Sequence, residues 1–345
     1  MGKPKLSFKL SEGKPRIPPA LVLFLLSPAI GELLSGSSPP KEYFTVFGFT
    51  VMTLLYGGGA LIARELKIRW GKGIGSLLLL GASYGVFEEG LMVASFQNPS
   101  WQDIGILGEY GRWLGINWVW AVELTFYHAL ISITVPILIV ELAYPSLRDE
   151  PWLHGRWRKI VPILFFSDTV FGYFAFPCMT GFKPPIAPYL FLVFTALLLA
   201  YLAKLLPRDW ARHGIKPMKT PRYYAVICFL GAILCGVFFW VLPNILAFSL
   251  GPLLVSVGGT VFLFGFFRHL VGFNWGSSTP LHRHGLVFGS LFVFILFSVL
   301  QEFDGSRLDD TSGMSLVGLS FFVGLLLLRR RIVKQGRLDV SEDID

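Results

Sequence analysis

Charge is what this chain is short of. Only 15% of its 345 residues are Asp, Glu, Lys or Arg, against 53% hydrophobic, whereas soluble globular domains carry about 25% charged residues. With a mean hydropathy of +0.61, the composition places the chain outside the water-soluble class. Cysteine is scarce too. Cys178, Cys228 and Cys235 have no metal-ligand spacing, and the last two, seven apart, share one helix face. They read as small apolar packing residues, and no disulfide framework is expected. No small-residue cleavage site follows the basic start (Lys3, Lys5, Lys9, Lys14, Arg16), so a retained first helix is expected after a short basic cytoplasmic segment, residues 1–16.

Phenylalanine (32) and tryptophan (10) are plentiful, as lipid-facing surfaces and interfacial belts require. The net charge of +8 would suit nucleic acid, but the basic residues fall in short clusters between apolar segments, which topology explains better. No nucleic-acid partner is expected. The expected partner is the lipid bilayer, and the expected location the cell membrane, multi-pass.

Spanning a bilayer takes about 20 mainly apolar residues. Ten windows qualify: 17–36, 43–66, 73–97, 116–142, 159–177, 186–206, 222–243, 247–267, 285–302 and 312–330. Every connection is short, so residues 1–345 read as one all-α polytopic transmembrane domain with a cytoplasmic tail, 331–345. Alternate connections carry the basic residues: Arg64, Lys67, Arg69 and Lys72; Arg156, Arg158 and Lys159; Lys204 to Arg222; Arg268 and Arg283; Arg329 to Lys334. The opposite connections are poor in them and partly acidic (Glu42, Asp103, Glu109, Asp304, Asp309, Asp310). Both termini are therefore expected on the cytoplasmic side. After the third span, Ser100-Trp-Gln-Asp103 has the form of a helix N-cap, and residues 101–112 are expected to form a short interfacial amphipathic helix that either lids the site below it or seals the interface.

Two adjacent acids, Glu88 and Glu89, interrupt the third span. A charge at that depth costs about 2.5–3.5 kcal/mol on insertion scales and marks a site by default. On helical spacing Glu88 shares its face with Gly81, Tyr84, Met92 and Ser95, whereas Glu89 lies about 100° round on an otherwise apolar face. Glu88 is thus the one expected to face a polar interior, with Glu89 reaching the same space from the side. On the fourth span Asn117, Thr125, His128 and Ser132 share one face. Counted along the helices, Glu88 and His128 lie at matching depths of about 15 and 18 Å, so they can meet. Three chemistries suit such a group: a glutamate activating water with the histidine orienting it or stabilising developing charge, a divalent metal such as zinc on Glu88, Glu89 and His128, or a proton or ion relay.

Glu88-Glu89 followed one helix later by His128 resembles the CPBP intramembrane proteases, the CAAX-prenyl-protease and bacteriocin-processing (Abi) group. That resemblance, over about residues 81–132, implies an intramembrane hydrolase in which the glutamate pair activates water, assisted by His128, acting on a membrane-embedded peptide or small molecule. Val93 stands where the family's first motif has arginine, and Leu124 where the second has an aromatic residue. The nearest counterpart of the later His/Asn motif, His269 with Asn274, is spaced by five. The alternatives are a transporter for protons, metal ions or a lipid-like solute, with the same residues as relay, and a non-catalytic membrane component in which they form a polar packing cluster.

Other acids weigh less in this reading. Asp168 is an intramembrane acid that either joins the same cavity or packs apart. Glu123 is expected in an interfacial or interhelical bond, Glu32 at the outer end of the first span, either lining the entrance or simply interfacial, and Glu141 solvated or paired with Arg148. His154, His213, His282 and His284 are expected in solvated basic loops, and Pro136, Pro162 and Pro243 as local helix breaks.

Overall fold

The computed structural model describes residues 15–102, 104–210, 213–246, 249–305 and 307–342, with side chains to 336. Of the described residues, 74% are helical. Among the described residues, ten long helices alternate between two ends of one bundle: α1 (Pro19–Leu34), α2 (Val46–Arg69), α3 (residues 74–92), α4 (Trp118–Ala143), α5 (Trp157–Thr180), α6 (Ile186–Leu205), α7 (Pro221–Asn244), α8 (Gly251–Val271), α9 (Pro280–Glu302) and α10 (Met314–Glu342). Seven of them (α2 and α4 to α9) are long and apolar enough to cross a membrane. Contacts among helix ends and the loops beside them fix the two ends. At one, Gln301 Nε2 donates to the Ser35 carbonyl at 2.9 Å and Lys41 meets Asp310 at 3.1 Å. At the other, Lys67 meets Glu141 at 2.7 Å and Lys72 donates to the Leu206 carbonyl at 3.0 Å. We call these the acidic and basic ends.

Packing is organised around α3 and α4. Glycines let them approach: a Cβ on Gly81 would lie 2.8 Å from the Ala129 backbone, and one on Gly85 2.9 Å from the His128 Cβ. Leu77, Leu80, Ile133, Ile137 and Val140, all buried, fill the core toward the basic end together with Leu23 and Leu61. α6 covers α3 on the opposite face, α5 leans on α2 and on the end of α3, and α9 packs between α7 and α10.

Three expectations are corrected here. The third helix stops at Met92 instead of running to 97, because Ala94 turns left-handed (φ 57°) and the chain folds back over the helix end. Residues 101–112 do not form an amphipathic helix. Gly105, Gly111 and Gly115 take positive φ, and the segment makes one 3₁₀ turn, Gly105–Gly108, then a hairpin pairing Arg112–Trp113 with Ile116–Asn117. Glycines break the helix that the polar/apolar alternation suggested. The expected cap residue Asp103 lies outside the described residues. Finally, His284 is buried inside α9, stacked on Phe288 with Nε2 2.9 Å from the Leu325 carbonyl, because α9 starts at Pro280, five residues before the expected span.

Candidate functional site

Four helices carry the site, and each departs from α-helical winding where it does so. π-helical turns run over Ala29–Leu34 in α1, Thr53–Gly57 in α2, Glu88–Met92 in α3 and His128–Thr134 in α4. They hold Glu32, Tyr56, the Glu88-Glu89 pair, and His128 with Ser132. A π-turn inserts a residue into the winding and swings the side chains that follow, and such turns concentrate at functional sites. Here the widened turns let two consecutive residues, Glu88 and Glu89, reach one imidazole.

That imidazole is the centre. His128 Nε2 lies 3.1 Å from Glu89 Oε1; Nδ1 lies 3.3 Å from Glu88 Oε2 and 3.0 Å from the Ser132 hydroxyl. Ser95, in the chain folded back over α3, donates to Glu89 Oε2 and accepts from Trp120 Nε1 at 3.1 Å. Tyr56 and Tyr84 close the group from α2 and α3, their rings 5.8 and 5.9 Å from that of His128. The Glu88 side chain is 5% exposed and that of Glu89 13%. Glu89 is the more open one, because the helix ends just beyond it.

The other expected residues divide. Tyr84 and Ser132 join the site. Asn117 does not: it is the N-cap of α4, accepting from Trp120 N at 3.0 Å and donating to the Leu107 and Tyr110 carbonyls, which makes it the anchor of the folded-back segment. Thr125 lies with its backbone against Gly85, one helical turn from His128. Asp168 stays apart on α5, buried, its Oδ2 without a hydrogen-bond partner, because α5 packs at the rim of the α2–α3 pair. Glu123 makes an interhelical bond, accepting from Trp240 Nε1. Glu141 is held by Lys67 and by Arg64 at 3.6 Å, not by Arg148. His269 meets the Tyr223 hydroxyl at 2.7 Å and Asn274 caps the turn after α8, both at the basic end, far from Glu88.

Two site residues were underrated in the sequence. Glu32 accepts hydrogen bonds from Tyr56 Oη and from Ser38 Oγ at 2.7 Å, and Tyr56 was not singled out at all. The available signal was a tyrosine within the apolar run before Gly57-Gly58-Gly59. Above the group, the segment 93–117 is itself buried through Phe96, Gln97, Leu107 and Tyr110. Arg112, whose guanidinium burial holds below its usual value, pins it by donating to the Gln97 and Gly108 carbonyls at 2.7 and 2.8 Å. A cavity of about 1750 Å³ reaches Glu32, Glu88, Glu89 and His128 and extends between α4, α7 and α8 along phenylalanine-rich walls.

The ligand atoms of Glu88, Glu89 and His128 lie within 4.8 Å of one another. The carboxylates, however, occupy opposite ring nitrogens. A histidine offers one nitrogen to an ion while the other engages an outer partner, so a single ion would take His128 and one glutamate only, short of the three protein ligands of a catalytic zinc site. The arrangement fits a hydrogen-bonded acid–imidazole–acid group better than a metal centre.

Among known proteins, an archaeal one described as "Uncharacterized protein", from Archaeoglobus fulgidus, is 32% identical over 127 residues, which are 36% of this chain and 38% of that protein. The chain thus matches well under half of that relative's length. No solved structure matches it. Residues 21–272, which contain all four π-turns of the site, match the family described as "Uncharacterized membrane protein family", and the chain belongs to that family.

Proposed function

We propose that this protein is an intramembrane hydrolase of the CPBP type, cleaving an amide bond of a membrane-embedded peptide or small molecule at Glu89 and His128. In this reading all ten helices span the bilayer with the basic end and both termini in the cytoplasm. Glu89, the more open of the pair, takes a proton from a water bound beside it on the cavity side. Glu88 and Ser132 on Nδ1 set the orientation of the ring, and the imidazolium stabilises the developing oxyanion. This differs from the family pattern, whose later His and Asn have no counterpart near the site.

The carrying observation is that hydrogen-bonded polar side chains continue from the group on one side only. Toward the acidic end it continues through Tyr56 and Glu32 to Ser38. Toward the basic end it abuts the buried aliphatic layer of Leu77, Leu80, Ile133 and Ile137. A relay that moves charge across the bilayer needs polar groups on both sides; a hydrolase needs water from one. The transporter reading is favoured by a different observation, that the cavity also touches Lys67, Lys72 and Arg208 at the basic end.

The test uses the full chain in liposomes with membrane peptides in oxygen-18 water. Cleavage places the label in new carboxyl termini, read by mass spectrometry. Wild type is expected to produce labelled termini and Glu89→Gln none. Equal labelling in both, or none in either, sinks the hydrolase reading, and proton uptake lost in Glu89→Gln would put the transporter in its place.

A further inference from the structure

Five π-helical turns occur among the described residues. Four of them carry Glu32, Tyr56, Glu88 with Glu89, and His128 with Ser132. The fifth, Val237–Val241 in α7, carries Trp240, whose Nε1 donates to Glu123 Oε1 on α4. Glu123 stands five residues into α4, about 8 Å below the helix start at the acidic end. Its second oxygen, Oε2, is buried and accepts no hydrogen bond. Among the described residues no cation pairs with it, and an indole donates a hydrogen bond but carries no charge. A carboxylate at membrane depth with one neutral donor and no counter-charge is costly and marks a site. Its counter-charge has to come from outside the chain.

Glu123 and Trp240 line the same cavity as Glu89 and His128. Trp120 stands between the two groups: its ring lies 6.0 Å from that of Trp240, and its Nε1 donates to Ser95, which in turn donates to Glu89. From Glu123 the cavity continues between α7 and α8 past Cys235, Gly236, Phe262 and Phe266. A Cβ on Gly236 would meet nothing within 4 Å, so open space adjoins α7 there. Gly236 precedes Trp240 by four residues, which puts that space deeper in the bundle than the carboxylate. The acid is thus placed near the surface and the apolar space toward the bilayer centre, the order of head and chain in an amphiphile.

We propose that Glu123 and Trp240 bind the ammonium head of a single-chain amphiphile, whose hydrocarbon tail lies along α7 past Gly236. The terminal torsion of a glutamate is broad, so a small turn of the carboxylate presents Oε2 to the cavity, where the ammonium donates to it. The half-exposed Trp240 ring offers the cation a π-face beside the carboxylate. Charge selects the ligand: an anionic head is repelled by the carboxylate, and a neutral one leaves it without a counter-charge. The π-turn of α7 is thereby accounted for, since it carries the indole that holds Glu123 in place. The site goes beyond the hydrolase reading and does not depend on it.

The test titrates decylammonium into the full-length protein in nanodiscs of zwitterionic lipid, by calorimetry with empty nanodiscs subtracted. Wild type is expected to bind it saturably. Glu123→Gln keeps the shape of the side chain and an acceptor for Trp240, and is expected to weaken binding about tenfold or more, as loss of a charged hydrogen bond does. Decanol, the same chain with a neutral head, is expected to bind wild type and Glu123→Gln alike. Gly236→Leu fills the space for the tail and is expected to weaken decylammonium binding with the carboxylate intact. Equal affinity for decylammonium in wild type and Glu123→Gln, or no saturable binding to wild type, overturns the proposal. So does a loss found in Glu89→Gln but not in Glu123→Gln, which would put the amine at the other acids. Should Glu123→Gln fail to fold, Gly236→Leu decides, and affinity equal to wild type overturns the site. Binding is read without turnover, so the hydrolase reading stands or falls separately.

Discussion

His128 Nε2 stands 3.1 Å from Glu89 Oε1 across 39 positions of sequence and two antiparallel helices, and the opposite ring nitrogen faces Glu88. One imidazole thus separates two acids that sit side by side in the chain. Without it, two buried carboxylates would face each other in a low-dielectric interior, where like charges repel strongly.

The first prediction follows from that placement. His128→Ala strips both acids of their partner and is expected to cost about 3–5 kcal/mol of stability, the range for breaking a buried charged group by removing one member. Glu88→Gln keeps the shape and removes a charge, and is expected to be neutral or to stabilise by about 0.5–2 kcal/mol, as substitutions that relieve a strained functional site often do. Denaturant titration of the detergent-solubilised variants checks both. A His128→Ala protein as stable as wild type would mean that the imidazole does not hold the acids.

Much of this was legible in the sequence, and the parts that were not share a cause. Long apolar windows gave the order of the helices and the alternation of basic loops gave which connections share an end of the bundle, because both are properties of composition along a segment. Pairing of Glu88, Glu89 and His128 followed from charge burial and depth. Which glutamate is the more open did not, since a face computed at 100° per residue assumes an unbroken α-helix, whereas Glu88–Met92 is π-wound and ends at once. Glu32 and Tyr56 were hidden for the same reason, each on a π-turn of a helix that looked like a plain span. The hairpin at Arg112–Asn117 was missed because polar/apolar alternation outweighed Gly111 and Gly115. Asp168 shows the converse: an intramembrane acid is conspicuous in sequence, but its neighbours are not.

Chelation should leave the protein unchanged. Because the carboxylates take opposite nitrogens of His128, purified protein is expected to carry no stoichiometric zinc, and exhaustive treatment with a chelator should not shift its melting temperature. Elemental analysis showing one zinc per chain, lost in both Glu89→Gln and His128→Ala, would require the ring or Glu88 to turn and would replace the water-activation scheme with a metal one.

At the basic end the fold depends on Arg64. Its guanidinium is fully buried, 3.2 Å above the Trp152 ring, donates to the Leu147, Arg148 and Glu150 carbonyls at 3.3, 2.8 and 3.0 Å, and stands 3.7 Å from Glu65 and 3.6 Å from Glu141. One planar fork thereby closes the loop between α4 and α5. Arg64→Met leaves two buried carboxylates short of a partner, and a loss of about 3–5 kcal/mol is expected. Arg64→Lys should recover little of it, because an ammonium cannot span three carbonyls and stack on an indole as well. The readout is denaturant stability together with protease cleavage within residues 145–156, which rises if the loop is released. Full stability in Arg64→Lys would show that charge alone suffices.

The acidic end should loosen in acid, and Asp310 sets the range. The Ser312 hydroxyl and backbone N–H, followed by the Lys41 ammonium, hold its carboxyl down to about 2, against about 3.9 for an unperturbed aspartate. A carboxylate depressed in the folded state adds stability that is complete above its unfolded value and disappears as pH falls through the folded one. The Lys41–Asp310 contact at 3.1 Å should therefore persist at neutral pH and give way between about 4 and 2. Lys41 and Asp310 are well exposed, so added salt should weaken the contact as well. Spin labels at Ser37 and Leu308, both exposed, report the separation of the two loops. A narrow distance distribution is expected at neutral pH, broadening through that range, and Asp310→Ala is expected to be broad at every pH. Neighbouring Asp309, held down by Arg307, sharpens the test: if the distribution in Asp310→Ala still narrows as pH rises, the closure belongs to Asp309 and Arg307 instead of Asp310.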